Sequence, residues 1–210
     1  HCLVADIGGT HARFAWADAQ GALLARASVP VAAYPSITTA LAAVVPDGRY
    51  GRALGLAVAG QVDAAGHART ANLPWTIRAA ELQACSGRPV RVLNDFHALA
   101  LGCAGLSAGD GVAVCGPDDG DDSGPLLVIG PGTGLGAAIV LPGTGLQVLP
   151  SEAGQMALAA SDARQAAVIE HLRGQRGDGH VSVEAIVSGP GLLAAYRALC
   201  ALAGVPAGCS

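Results

Sequence analysis

The chain has 210 residues, 51% of them hydrophobic and 13% charged, with a formal net charge of −4. This composition excludes intrinsic disorder and provides for one domain with a sizeable core, or one domain plus part of another. A mildly acidic chain with no polybasic run argues against nucleic acid or an anionic membrane as partner, and no run of about 18 apolar residues exists to cross a bilayer.

Residues 2–7 form an apolar run that ends in Gly8-Gly9-Thr10, and a second run at 12–17 follows at once. Strand, glycine turn and strand predict a hairpin, and the opening residues read as a strand instead of a signal peptide. A third strand is predicted at 22–29. The stretch 36–45 reads as a helix with Ser36 as N-cap and Pro46 beyond its end. A fully apolar strand at 53–59 comes next, then a helix at 76–85 closed by Gly87, a strand at 89–93 and a helix at 95–103. This order predicts a mixed sheet with crossover helices.

Residues 116–124 carry four Asp and read as a solvated loop. The hairpin theme then recurs with strands at 126–129, 137–141 and 147–149. Helices are expected at 161–172, 183–187 and 191–203. Two copies of a strand, glycine turn and strand pattern predict two similar halves, a small domain over 1–108 and a partial, larger one over 109–210.

Six cysteines, at 2, 85, 103, 115, 200 and 209, show no zinc spacing, so free thiols in a reducing cytoplasm are expected. All twelve basic residues are Arg. Without Lys there is no Walker P-loop, no pyridoxal Schiff base and no protein-kinase strand lysine. Phosphate binding would have to use backbone amides, Arg, Ser/Thr or metal.

Five short segments carry candidate chemistry. In Asp6-Ile7-Gly8-Gly9-Thr10 the turn can offer N–H groups to phosphate oxygens, and Asp6 can reach a magnesium ion through water. An ordinary hairpin turn would explain the glycines but not an Asp in a buried strand. Gly130-Pro131-Gly132-Thr133-Gly134-Leu135-Gly136 forms a second amide-lined cradle, and its spacing and following strand do not fit a dinucleotide fingerprint. Asn94-Asp95 lies at a strand end: Asp95 is either a helix N-cap or a general base aimed into a cleft. Glu152 and Glu184, two of only four Glu in the chain, stand in Ser151-Glu152-Ala153-Gly154-Gln155 and His180-Val181-Ser182-Val183-Glu184. Carboxylates suit the vicinal hydroxyls of a sugar, although Glu184 would also suit the first turn of a helix.

These motifs, together with Ala12-Arg13, Ala57-Val58-Ala59-Gly60, Asn72-Leu73-Pro74-Trp75 and Ser188-Gly189-Pro190-Gly191, occur in one order. Together they resemble the bacterial glucokinase family over residues 2 to about 200. The resemblance implies the ribonuclease H-like, actin-like ATPase fold: mixed sheets with flanking helices in two similar domains around a cleft, the second incomplete here. It implies transfer of the ATP γ-phosphoryl group to the 6-hydroxyl of glucose, with ATP and Mg2+ bound, and it leaves room for a homodimer. Asp6, Gly8, Gly9 and Thr10 resemble the first phosphate loop and Gly132, Thr133 and Gly134 the second. Asp95 resembles the catalytic base, and Asn94, Asp95, Glu152 and Glu184 resemble sugar ligands.

The sequence departs from the family pattern at three positions. His11 stands where Asn is common, Gln61 where Pro is common, and Gln155 where a sugar-binding His is frequent. Gln155 can still bond a hydroxyl and is kept as a sugar contact. The family's later adenosine-holding strand and C-terminal helix have no counterpart after residue 191, so the 210-residue chain is expected to be inactive by itself. The alternatives are a ROK-like kinase for another hexose or amino sugar, whose usual Cys-rich zinc motif is missing, and a catalytically silent sugar-binding regulatory module.

Overall fold

The computed structural model describes residues 1–70, 73–107, 109–112, 114–115, 123–143 and 145–208. Contacts divide the chain into two units, His1–Gly102 and Cys103–Ser210. Asn72, residues 116–122 of the acidic loop and Cys209 lie outside the described residues.

In the first unit, side chains alternate along β1 (Cys2–Ile7) and β2 (His11–Ala17). The period of two places Leu3, Ala5, Ile7, Ala12 and Phe14 on one buried face. β3 (Leu23–Pro30) pairs antiparallel with β2. α1 (Ile37–Val44) starts at Ser36, whose hydroxyl accepts from Thr39 N–H while the Thr39 hydroxyl accepts from Ser36 N–H. Such a reciprocal cap is worth about 1 kcal/mol. β4 (Leu54–Val58) then joins β1 in parallel.

A small antiparallel sheet follows, built from β5 (Gln61–Val62), β6 (His67–Arg69) and β7 (Ile77–Arg78). The helix expected over 76–85 therefore begins later. Ile77 and Arg78 pair with β6, and α2 spans Ala79–Ser86, closed by Gly87 at φ 64°. β8 (Val90–Asn94) lies parallel to β4, and α3 (Asp95–Cys103) leaves directly from its end. The sheet order is β3-β2-β1-β4-β8. Phe14, Leu3, Ile7, Ile77 and Leu82 are fully buried in the core that joins this sheet to α1 and α2.

The second unit contains the sheet β11-β10-β9, with β9 (Leu126–Pro131), β10 (Leu135–Leu141) and β11 (Gln147–Ser151) all antiparallel. α4 (Ala163–Gly174) is capped by Asp162, and α5 (Gly189–Ala203) by Ser188. Val168, Ile169, Leu172, Val181 and Ala198 pack the two helices together. The helix expected over 183–187 is a single 3-10 turn, Val183–Ala185. Among the described residues no helix is long and apolar enough to cross a membrane, and Cys2, Cys85, Cys103, Cys115 and Cys200 are free thiols.

Candidate active site

The parallel strands β1, β4 and β8 end level with one another, because Ile7 pairs with Val58 and Val58 with Asn94. Their carboxyl ends form the edge at which open α/β sheets place ligands. Asp6, the first glycine turn, Gly60, Asn94 and Asp95 all belong to this edge.

Asn94 and Asp95 divide their work differently from the N-cap alternative for Asp95. The cap is Asn94, whose Oδ1 accepts from His97 N–H at 2.9 Å. Its amide nitrogen donates to the Gly60 carbonyl at 2.9 Å and to Asp95 Oδ1 at 3.0 Å. Gly60 takes φ 152°, and any side chain there would collide with the Arg69 carbonyl, so only glycine brings this carbonyl to Asn94. Asp95 Oδ1 also accepts from Phe96 N–H at 2.9 Å. Asp95 Oδ2 accepts no hydrogen bond among the described residues. Half-burial pushes the Asp95 carboxyl above its ordinary range, and the nearby Asp6 charge adds to the effect, while the two hydrogen bonds to Oδ1 oppose it. A half-buried carboxylate with one oxygen pinned and the other open is suited to taking a proton.

Asp6 is exposed, contrary to the expectation of a buried-strand Asp. The alternation along β1 turns it outward, and its Oδ2 accepts from Arg13 at 2.8 Å. The turn beside it is closed by Gly8 N–H donating to the His11 carbonyl at 3.0 Å. Gly8 N–H is thus used internally, whereas the N–H groups of Gly9 and Thr10 meet no acceptor among the described residues.

In the second unit, Gly132 N–H donates to the Gly134 carbonyl, and the Gly132 carbonyl accepts from Gly189 N–H, both at 2.8 Å. The turn is therefore tied to the start of α5, and the Thr133 and Gly134 N–H groups meet no acceptor among the described residues. Glu184 reaches this turn. Its Oε2 accepts from Leu135 N–H at 2.8 Å and its Oε1 from the Gln155 amide at 3.1 Å. A side chain at Gly134 would collide with this carboxylate, so Glu184 keeps its place on Leu135 N–H because residue 134 is a glycine. Glu152 precedes the 3-10 turn Ala153–Gln155, is exposed, and accepts no side-chain hydrogen bond among the described residues. Glu152 and Gln155, on one turn, thus neighbour the turn of Glu184, which lies 29 residues beyond Gln155 in sequence.

Sequence reasoning left three contributors without a role: Arg13, Gly60 and His180. Arg13 could have been found from hairpin register, since Ile7 opposite Ala12 sets Asp6 opposite Arg13. Gly60 and His180 act through contacts 34 and 25 residues away along the chain, which carry no local signal.

Magnesium takes oxygen donors and keeps several waters, so one carboxylate beside bound phosphates suffices for it. Asp6 offers such an oxygen, with Oδ2 held by Arg13 and Oδ1 open. No cluster of three metal-ligating side chains occurs among the described residues. The donor set fits an ion that arrives on phosphates better than one held permanently by the protein.

Mixed sheets with flanking helices give the chain the actin-like fold that solved glucokinases share. Residues 3–208 match the Glucokinase family model, and the chain belongs to the glucokinase family. It is 38% identical over 211 residues to a glucokinase-like protein of Xylella fastidiosa, covering 97% of this chain and 62% of that protein. It is 40% identical over 213 residues to the glucokinase of Pseudomonas paraeruginosa, covering 97% and 61%. The crystal structure of a glucokinase from an Antarctic psychrotroph superposes with a TM-score of 0.76 at 34% identity, covering all of this chain and 67% of that one. The chain thus spans about 62% of the length of these two curated relatives.

Proposed function

We propose that these residues belong to an ATP-dependent hexokinase that phosphorylates the 6-hydroxyl of glucose. The observation that carries the proposal is Asp95: a half-buried carboxylate at the strand edge, with Oδ1 pinned by Asn94 and Phe96 and Oδ2 open. Its environment favours proton uptake, which a general base needs.

The roles follow from chemistry and position. Asp95 takes the proton of the 6-hydroxyl as that oxygen bonds to the γ-phosphorus. The bond from the γ-phosphorus to the bridging oxygen breaks, and ADP leaves with that electron pair. Asn94 orients Asp95, and with both Nδ2 hydrogens engaged it has the second lone pair of its Oδ1 to accept from a sugar hydroxyl. In the second unit Glu152, Gln155 and Glu184 accept and donate the hydrogen bonds of sugar hydroxyls. Gly8, Gly9 and Thr10 form one phosphate turn and Gly132, Thr133 and Gly134 the other, with the unengaged N–H groups facing phosphate oxygens. Asp6 holds Mg2+ through water; when bound, the ion supplies neutralisation of phosphate charge. With no Lys in the chain, positive charge beside the first turn comes from Arg13. Free thiols suit a reducing cytoplasm as the place of reaction.

The test is a coupled ADP-release assay on a full-length enzyme carrying these residues. ADP should appear only when glucose and Mg·ATP are both present. ADP release that ignores glucose, or its absence with any hexose, would contradict the reading.

A further inference from the structure

The Glu184 carboxylate is held by a chain of contacts whose far end is His180. Gln155 donates its amide to Glu184 Oε1 at 3.1 Å, and Leu135 N–H occupies Oε2 at 2.8 Å. His180 Nε2 lies 3.1 Å from the Gln155 carbonyl oxygen. A carbonyl can only accept, so Nε2 must carry the proton.

The backbone explains why a side chain is needed there. The segments around 157 and 182 run antiparallel: Leu158 N–H donates to the Val181 carbonyl and Val183 N–H to the Met156 carbonyl, both at 2.9 Å, with Ala157 opposite Ser182. This pairing stops before Gln155. Gln155 N–H is already used within its own turn, donating to the Glu152 carbonyl at 2.9 Å. The Gln155 carbonyl has no backbone donor among the described residues, and the imidazole supplies one. His180 therefore closes the open end of the pairing and fixes the residue that holds Glu184.

We propose that His180 is a positioning residue for the sugar site: through the Gln155 backbone it sets the Gln155 amide, and so the orientation in which Glu184 presents its remaining lone pairs to vicinal hydroxyls. This rests on the reading of Glu184 as a sugar ligand. A carboxylate has about four acceptor sites, so the two protein hydrogen bonds leave room for two hydroxyl donors in a fixed direction. A Gln155 free to rotate would release Oε1 and spread that direction. His180 touches neither sugar nor phosphate in this scheme. Its loss should weaken sugar binding while leaving turnover and nucleotide binding alone.

The experiment compares His180→Ala, His180→Gln and Glu184→Gln in the full-length enzyme, with glucose as probe. One ordinary hydrogen bond corresponds to about a 2- to 12-fold effect. His180→Ala should raise the glucose KM by that factor with kcat and the ATP KM unchanged. His180→Gln, which can place an amide donor near the Nε2 position, should restore most of the loss. Long-range proton–nitrogen NMR of the wild-type imidazole should show Nε2–H. An unchanged glucose KM in His180→Ala beside a raised one in Glu184→Gln overturns the positioning role and leaves the sugar site standing. Unchanged values in both variants overturn the sugar reading and the proposal together. If His180→Ala fails to fold, a Nδ1–H tautomer in the wild type or an unrescued glucose KM in His180→Gln overturns it.

Discussion

Asn94 holds Asp95 in place: its amide donates to Asp95 Oδ1 at 3.0 Å while its own oxygen caps α3 through His97 N–H. One side chain thus joins the end of β8, the start of α3 and the Gly60 carbonyl beyond β4. The placing of the proposed base and the local fold consequently depend on the same side chain.

Asn94→Ala should lower stability as well as activity. The cap alone is worth about 0.5–2 kcal/mol. Urea unfolding monitored by circular dichroism should show the midpoint shifted down with an unchanged slope. An unchanged midpoint would mean that the cap contributes nothing.

The elevated Asp95 carboxyl gives a signed pH dependence. A carboxyl raised above its ordinary 3.8 binds its proton more tightly folded than unfolded. Its contribution to stability is fully present below that ordinary value and is lost as pH rises through the elevated one. Asp95→Asn, which cannot ionise, should therefore gain melting temperature relative to wild type at neutral pH, and the gain should shrink toward pH 4 or below, roughly the ordinary carboxyl range. A difference independent of pH would place the elevation elsewhere.

Gly134→Ala should act like a lesion of Glu184. The new methyl would collide with the carboxylate and displace it from Leu135 N–H. Hydrogen bonds to a charged group are worth about 1.5–3 kcal/mol, so glucose binding should fall by roughly 10- to 150-fold, as in Glu184→Gln, with a smaller effect on ATP. Calorimetry with each ligand separates the outcomes. Loss of ATP binding with glucose binding intact would assign Gly134 to phosphate alone.

A polypeptide of these 210 residues alone should self-associate and show no glucose-dependent ADP release. On one face of the β9–β11 sheet Leu127, Ile129 and Leu149 are each half or more exposed, and on α5 Leu192 is 70% exposed. Exposed apolar patches of this kind favour association. Light scattering and the coupled assay check both statements; a monodisperse, active monomer would contradict them.

The long elements were legible because each carries a period or a cap. Alternation marked β1 and β2, Ser36 marked the start of α1, and Gly87 the end of α2. β5, β6 and β7 were not legible: strands of two or three residues containing Gln61, His67 and Arg78 exist only because of their pairing. The start of α2 was misplaced for the same reason. In the site, Asn94-Asp95 stood out as a pair, yet both residue types make good caps, and only the contact with His97 shows which one does. The outward turn of Asp6 follows from strand alternation and was open to reading, whereas the link from His180 to Gln155 depends on tertiary pairing.

The most direct test of the account is Asp95→Asn in a full-length enzyme, assayed for both glucose binding and ADP release. The substitution keeps the size of the side chain and removes the proton acceptor. A positioned base contributes about 10²–10⁴-fold, so kcat should fall by that factor while calorimetry still finds glucose bound. Near-normal turnover in the Asn variant would contradict the assignment of Asp95 and, with it, the mechanism built on this strand edge.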